Sequence, residues 1–361
     1  MKKLGICIGL PEEDYFDDRF IGGSALKELV PDKAIDFWWN SSHNPVKLDI
    51  DAEKAELPEK KDGKMFGKAL HKHLLEGQEE FDKLYCRQFD ASKYPKALDT
   101  IEDYRKWIDK YVKSNPDIKI SKGGKKEDIA ARIKDNDSSV QFIADLHGEY
   151  VNGRNEIKKS WHSSISLFAR IAKVDPYISA LMSEGIPEVS VFWEEDGVPC
   201  RMRLDWFRKT KVIEINGEEK TLCTTDLKSY SAMAGRSLKR AILTSIMNYR
   251  YDLQEAHYRA GVSAMKDLPI FGGTNEQQAY IKDALTVEQD FGFLFYKSIG
   301  APITKHMSVP AMILEIANRE REYTFESWRS YYKQFGYDIP WVVQCEEMEI
   351  EKDDFPPYFG T

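Results

Sequence analysis

Two aspartates and a lysine stand where a short run of strands can bring them together. Asp205 lies near the end of Arg201-Met202-Arg203-Leu204-Asp205-Trp206, which alternates with period two, and Asp226 and Lys228 lie two apart in the run Thr221 to Lys228. Residues at i and i+2 of a strand point to the same side, so Asp226 and Lys228 share a surface while Leu227 turns away. Lys211 to Ile215 reads as another strand, closed by Asn216-Gly217, a strong hairpin-turn dipeptide. Pairing around that turn would carry Asp205 close to Asp226. Two carboxylates and an amine converging on a sheet suit metal-assisted hydrolysis of a phosphodiester. Carboxylates hold Mg²⁺ or Mn²⁺ through hard oxygen ligands. Such an ion lowers the pKa of a bound water and neutralises charge that develops on the phosphate. The lysine, a compact point charge, can orient the water or stabilise the transition state. An isolated D-x-K triplet is common by chance. Here the company is unusual for idle charges: Asp205 sits between Leu204 and Trp206, and Asp226 follows Leu222-Cys223-Thr224-Thr225.

The elements that must position these groups can be read around them. Val189 to Trp193 has strand composition and Glu195-Asp196-Gly197 is a turn signal. Beyond Ser229 a long helix is expected, with Leu238, Ile242, Ile246, Tyr249 and Leu253 forming an apolar stripe. Phe291 to Ser298 reads as a strand and Val309 to Tyr323 as a helix. Upstream, Gly63 to Glu76, Ile101 to Val112, Lys125 to about Ile133, and 160–183 (interrupted near Asp175-Pro176) read as helices. The start, Met1-Lys2-Lys3 followed by an apolar stretch to Leu10, runs into Pro11-Glu12-Glu13-Asp14 without a small-residue cleavage site, so a first strand is expected rather than a signal peptide. Helices, then a meander of strands, then a helix, a strand and a helix suggest an α+β core.

The ordered series resembles a known family. Pro187-Glu188-Val189-Ser190-Val191-Phe192-Trp193, then Arg203-Leu204-Asp205-Trp206, then Thr225-Asp226-Leu227-Lys228-Ser229, then Gln254 with Tyr258, follow the motifs of RecE-type exonucleases within the RecB-like PD-(D/E)XK superfamily. Gly67-Lys68-Ala69-Leu70-His71 looks like that family's helix bearing a metal-binding histidine. The series spans residues 67–258, and its acid before the lysine is Asp226 where many superfamily members have Glu. The resemblance implies a restriction-endonuclease-like core, a mixed central sheet flanked by helices. It implies that His71, Asp205 and Asp226 ligate a first Mg²⁺ or Mn²⁺, with a contribution from the Leu227 carbonyl. Glu188 would contact a second ion or position the other ligands, Lys228 would act on the water, and Gln254 and Tyr258 would touch the DNA backbone. Neighbouring His73 stands as an alternative to His71 on chemistry alone. The implied activity is 5′-to-3′ digestion of double-stranded DNA ends, leaving 3′ single strands for an annealing protein, by a ring-like homo-oligomer. An endonuclease of the same superfamily, or a DNA-binding protein on a decayed nuclease fold, are the alternatives.

A second feature is independent of these motifs. Between Lys119 and Lys134 stand six basic residues and two acids, around Ser121-Lys122-Gly123-Gly124 and a helix start at Lys125-Lys126. This is similar to small SAP-like or HeH hairpins, in which Lys122, Lys125 and Lys126 would anchor phosphates sequence-independently. The expected organisation is an N-terminal region 1–99 that includes the His71 helix, the hairpin 100–136, a nuclease core 137–345 and an acidic flexible tail 346–361. The net charge of −8 is no argument against DNA, because five of those charges fall in residues 345–361. Five scattered cysteines without a C-x-x-C pair disfavour a disulfide framework or a cysteine-built metal site and fit a reducing cytoplasm. No apolar run is long enough to cross a bilayer.

Overall fold

A computed structural model of the chain describes residues 3–16, 19–29, 33–47, 61–230, 237–297, 301 and 303–342. The acidic segment 346–361 lies outside these. The chain divides into two compact units, Met1–Lys60 with Pro176–Thr361, and Lys61–Asp175. The strands, in chain order, are β1 Gly5–Ile8, β2 Tyr85–Arg87, β3 Asn155–Ile157, β4 Ile186–Glu195, β5 Val198–Phe207 and β6 Lys211–Ile215. They continue with β7 Glu218–Leu222, β8 Thr224–Tyr230, β9 Ile270–Gly272, β10 Phe291–Lys297 and β11 Thr304–Met307.

The first unit is built on a mixed seven-stranded sheet flanked by helices, in the order β11-β10-β8-β5-β4-β1-β9. β8 runs parallel to β10 and β1 parallel to β9, whereas the other neighbours are antiparallel. The hairpin β4–β5 closes through Asp196-Gly197, both at positive φ (49° and 77°), the turn that matches the twist of paired strands. Its inward residues Val189, Val191, Trp193, Cys200, Met202 and Leu204 join Phe291, Phe293 and Phe295 of β10 in one continuous core. Burying that much apolar surface fixes the strand register, since a slip of one residue would reverse every side chain.

Three expectations change here. Asn216 and Gly217 do form a positive-φ turn (54° and 80°), but β6 and β7 make a separate two-stranded sheet rather than part of the large one. The expected strand Thr221 to Lys228 is split at Cys223: β7 ends at Leu222, and β8 enters the large sheet. The hairpin is thus an excursion between β5 and β8. The long helix beyond Ser229 is also two helices, Leu238–Tyr249 and Tyr251–Ala264, broken at Arg250, which sits in the left-handed region (φ 52°, ψ 48°). Its guanidinium bonds both carboxylate oxygens of Glu320 (2.6 and 2.5 Å) and of Asp252 (3.2 and 3.1 Å), which compensates the strained backbone. Tyr249, placed on the apolar stripe by spacing, is exposed.

In the second unit, β2 and β3 pair in parallel. The helices Ile101–Ser114 and Lys126–Asn136 enclose a small core of Tyr104, Ile108, Ile129, Ile133 and Phe142. Thr100 and Asp103 form a reciprocal capping box at the first of these helices. Among the described residues, no helix is long and apolar enough to cross a membrane, and Cys7, Cys86, Cys200 and Cys223 form no disulfide.

Candidate active site

The chemistry-bearing residues of the first unit gather where β5 and β8 part. Trp206 is paired with Thr225, and the same register would set Asp205 beside Asp226. There the Asp205 side chain takes over from the backbone: its Oδ2 accepts the Leu227 N–H at 2.7 Å. Lys228, two residues beyond Asp226, turns back and pairs with the Asp226 carboxylate. The Gln254 amide reaches the other Asp226 oxygen, donating to Oδ1 at 3.3 Å. Asp226 is almost fully buried and Asp205 half-buried.

Burial sets the electrostatics. It pushes the Asp205 carboxyl above the usual carboxylate range, against the opposing pull of the Lys228 charge, the Leu227 N–H and Arg203. For Lys228 burial acts downward, but the carboxylates of Asp226 and Asp205 outweigh it, so its ammonium is held above the usual lysine range and stays charged. The ammonium also lies 5.1 Å from the Tyr251 ring centroid and 6.0 Å from that of Phe293.

Glu188 joins from β4. Pro187 faces Trp206 and Val189 faces Leu204, so the register sets Glu188 opposite Asp205, and the ladder is interrupted at that step. Glu188 has φ of +54°, in the left-handed region where a side chain with Cβ is strained by about 1–2 kcal/mol. Oxygens of Glu188 and Asp205 come within 4.8 Å of one another. This hard-oxygen pair, with a carboxyl raised by burial that a cation would relieve, fits Mg²⁺ or Mn²⁺. The strain gives a prediction: Glu188→Gly should raise unfolding stability by roughly 0.5–1 kcal/mol, because glycine adopts this φ freely at some entropic cost. A urea midpoint lower than wild type would show that the Glu188 side chain holds the fold together.

Of the other residues expected here, Leu227 offers its N–H to Asp205 and buries its side chain. Gln254 is at the acids, whereas Tyr258, one turn on, is buried edge-on to Phe291 with ring centroids 5.5 Å apart. Burial, together with the nearby carboxylates of Asp226 and Asp205, holds its hydroxyl well above the usual tyrosine range. Sequence reading missed three neighbours. Arg203 stands two residues before Asp205, and its Nε lies 3.8 Å from Glu188 Oε2. Tyr251 carries the Lys228 ammonium on its ring. Lys27 lies 5.8 Å from the same ring, and burial together with Lys228 and Arg250 lowers its pKa. Period-two alternation was the available signal for Arg203; nothing in the sequence links Lys27 to Tyr251.

Two expected sets belong to the second unit. His71 is half-buried on the helix Lys61–Glu76. His73 is committed within its own unit: its Nε2 bonds Gln78 Oε1 at 2.8 Å and its ring packs 5.0 Å from Phe81. In the hairpin, Lys122 pairs with Asp109, and Lys126 lies 3.6 Å from Asp99. The Lys125 N–H is taken by Asp128 Oδ2 at 3.3 Å, so a carboxylate already occupies the start of that helix.

No protein-family model matches the chain, and no curated protein matches it. Among solved structures it is similar to a chain from Eubacterium rectale described as a "Putative exonuclease". The two are 14% identical, and the match covers 90% of this chain and 88% of the other with a TM-score of 0.39.

Proposed function

We propose that the first unit carries the active site of a metal-dependent DNA nuclease. The observation that carries this reading is the meeting of Asp205, Asp226 and Lys228 at the parting of β5 and β8, with Glu188 opposite. Asp205, Asp226 and Glu188 would hold Mg²⁺ or Mn²⁺, with the Leu227 carbonyl as a further ligand on the RecE-type resemblance. Such an ion supplies an activated water and charge neutralisation at the phosphate. The chain's own residues do the rest. The Leu227 amide fixes Asp205, Gln254 fixes Asp226, and Lys228 keeps a proton and a positive charge beside both acids. That charge can orient a water or steady the phosphate oxygens as negative charge grows.

The finer reading is exonucleolytic digestion of double-stranded ends, 5′ to 3′, leaving 3′ tails for an annealing partner; it rests on the motif resemblance of residues 67–258. Labelling linear duplex at either end tests it: early release of the 5′ label supports this polarity, and early release of the 3′ label reverses it.

The hairpin of the second unit would add affinity rather than chemistry. Two of its three lysines must exchange a carboxylate partner for a phosphate, and exposed pairs of this kind contribute only about 0–1 kcal/mol. Replacing Lys122, Lys125 and Lys126 by Ala should therefore weaken duplex binding and flatten its salt dependence, by about 0.9 in log–log slope for each phosphate no longer neutralised. The cleavage rate at saturating DNA should stay near wild type. An unchanged salt slope would make the hairpin an ordinary charged surface.

A further inference from the structure

Arg201, Arg203 and Asp205 alternate along β5 and so point to one side of the strand. Arg203 is held from several directions. Its Nε donates to Ser190 Oγ at 2.9 Å, directly across the β4–β5 ladder, and lies 3.8 Å from Glu188 Oε2. Its NH2 donates to the carbonyl oxygens of Leu10 (3.0 Å) and Pro11 (3.3 Å). Its guanidinium stacks 4.3 Å from the Tyr15 ring centroid. Arg201 grips the other end of the same segment, donating from NH1 to the Tyr15 carbonyl at 3.3 Å and lying 5.2 Å from the Tyr15 ring. The two arginines thus hold the short helix Glu12–Tyr15 by carbonyls before and at its end. The Tyr15 carbonyl, at the C-terminal end of that helix, lacks an intrahelical donor, so a guanidinium is a suitable partner.

We propose that Arg203 is a positioning residue of the acid site: it holds Glu188 in its left-handed pose beside Asp205 and fastens the Leu10–Tyr15 segment next to it. The proposal rests on the metal-site reading above. An arginine so committed orients the ligands, as partners that bond to metal ligands do elsewhere, where their loss costs about 10–100-fold in metal affinity or activity. A lysine retains the charge but cannot serve Ser190, Glu188 and two carbonyls with one ammonium.

The test uses the full chain with Arg203→Lys, and Ser190→Ala as a second variant that removes one aiming bond while leaving every charge in place. Three quantities are measured: Mn²⁺ affinity by calorimetry without DNA, amide hydrogen exchange across residues 10–16, and kcat against KM on linear duplex. For Arg203→Lys the expected result is Mn²⁺ binding about tenfold weaker, exchange at least several-fold faster in 10–16, and a lower kcat with KM little changed. Ser190→Ala should shift Mn²⁺ binding and exchange in the same directions by less. Unchanged Mn²⁺ affinity and exchange in a folded Arg203→Lys protein would overturn the proposal. A raised KM with unchanged kcat would also overturn it, by making Arg203 a substrate contact. A wild-type chain that binds Mn²⁺, loses that binding on Arg203→Lys, and cleaves no DNA would sink the nuclease reading while leaving this one standing.

Discussion

Replacing Lys228 by Met is expected to lower the rate of DNA hydrolysis by about 10²–10³-fold, the usual cost of removing one group that meets charge developing in a transition state. Methionine fills the lysine's volume beside Tyr251 and Phe293 but carries no charge. Raising pH within the neutral range should not reproduce this loss, since Asp226 and Asp205 hold the Lys228 ammonium above its ordinary range. The substitution also strands Asp226, which is nearly fully buried and paired with Lys228. Breaking a buried pair in this way costs on the order of 3 kcal/mol, so the folded fraction must be checked by circular dichroism before turnover is compared. Arginine should not rescue, because its planar fork does not place one compact charge at the Lys228 position. Turnover within about threefold of wild type in a folded Lys228→Met protein would remove Lys228 from the chemistry, given the size of the expected loss.

Asp205→Asn should separate activity from stability in opposite directions. Asparagine keeps the shape and can still accept the Leu227 N–H, but it loses the charge that a divalent ion needs. Hydrolysis should fall by about 10³-fold, since several kcal/mol of metal-derived stabilisation disappear. In the metal-free protein, stability at neutral pH should rise. Burial raises the Asp205 pKa in the folded chain, so the folded state binds the proton more tightly than the unfolded state does. Stability from this group is therefore greatest at low pH, and it falls as pH climbs from the unfolded value through the raised folded one. Asparagine has no proton to lose and removes that decline. Urea unfolding of both proteins across this window checks it. A metal-free Asp205→Asn protein less stable than wild type at neutral pH would mean that the Asp205 charge is well compensated without an ion.

The local part of this arrangement was legible in the sequence. Alternation placed Asp226 and Lys228 together, the turn dipeptides at Asp196-Gly197 and Asn216-Gly217 marked real hairpins, and the stretch before Leu10 forms a strand. What depends on distant pairing was not. The Asn216-Gly217 hairpin looked like the bridge between Asp205 and Asp226, yet β8 reaches β5 directly while the hairpin folds on itself. The break at Arg250 is invisible because no Gly or Pro marks it; the ion pair that sustains it joins residues 70 apart. Glu188 was singled out by motif, but no composition signal predicts a left-handed glutamate at the interrupted step of the β4–β5 ladder. Arg203 and Tyr15 are far apart in the chain, and only the fold shows that they touch.

The most direct test of the central claim is digestion of linear and covalently closed circular duplex DNA, with Mg²⁺, with Mn²⁺ and with excess chelator, using wild type and Asp226→Ala side by side. Loss of linear DNA with either ion, survival of the closed circle, and no cleavage in chelator or by Asp226→Ala is the expected result. Cleavage of the closed circle would keep the metal site and make the enzyme an endonuclease. Cleavage that persists in chelator, or equal activity in the Asp226→Ala protein, would contradict the assignment of Asp205, Asp226 and Lys228 as the catalytic centre.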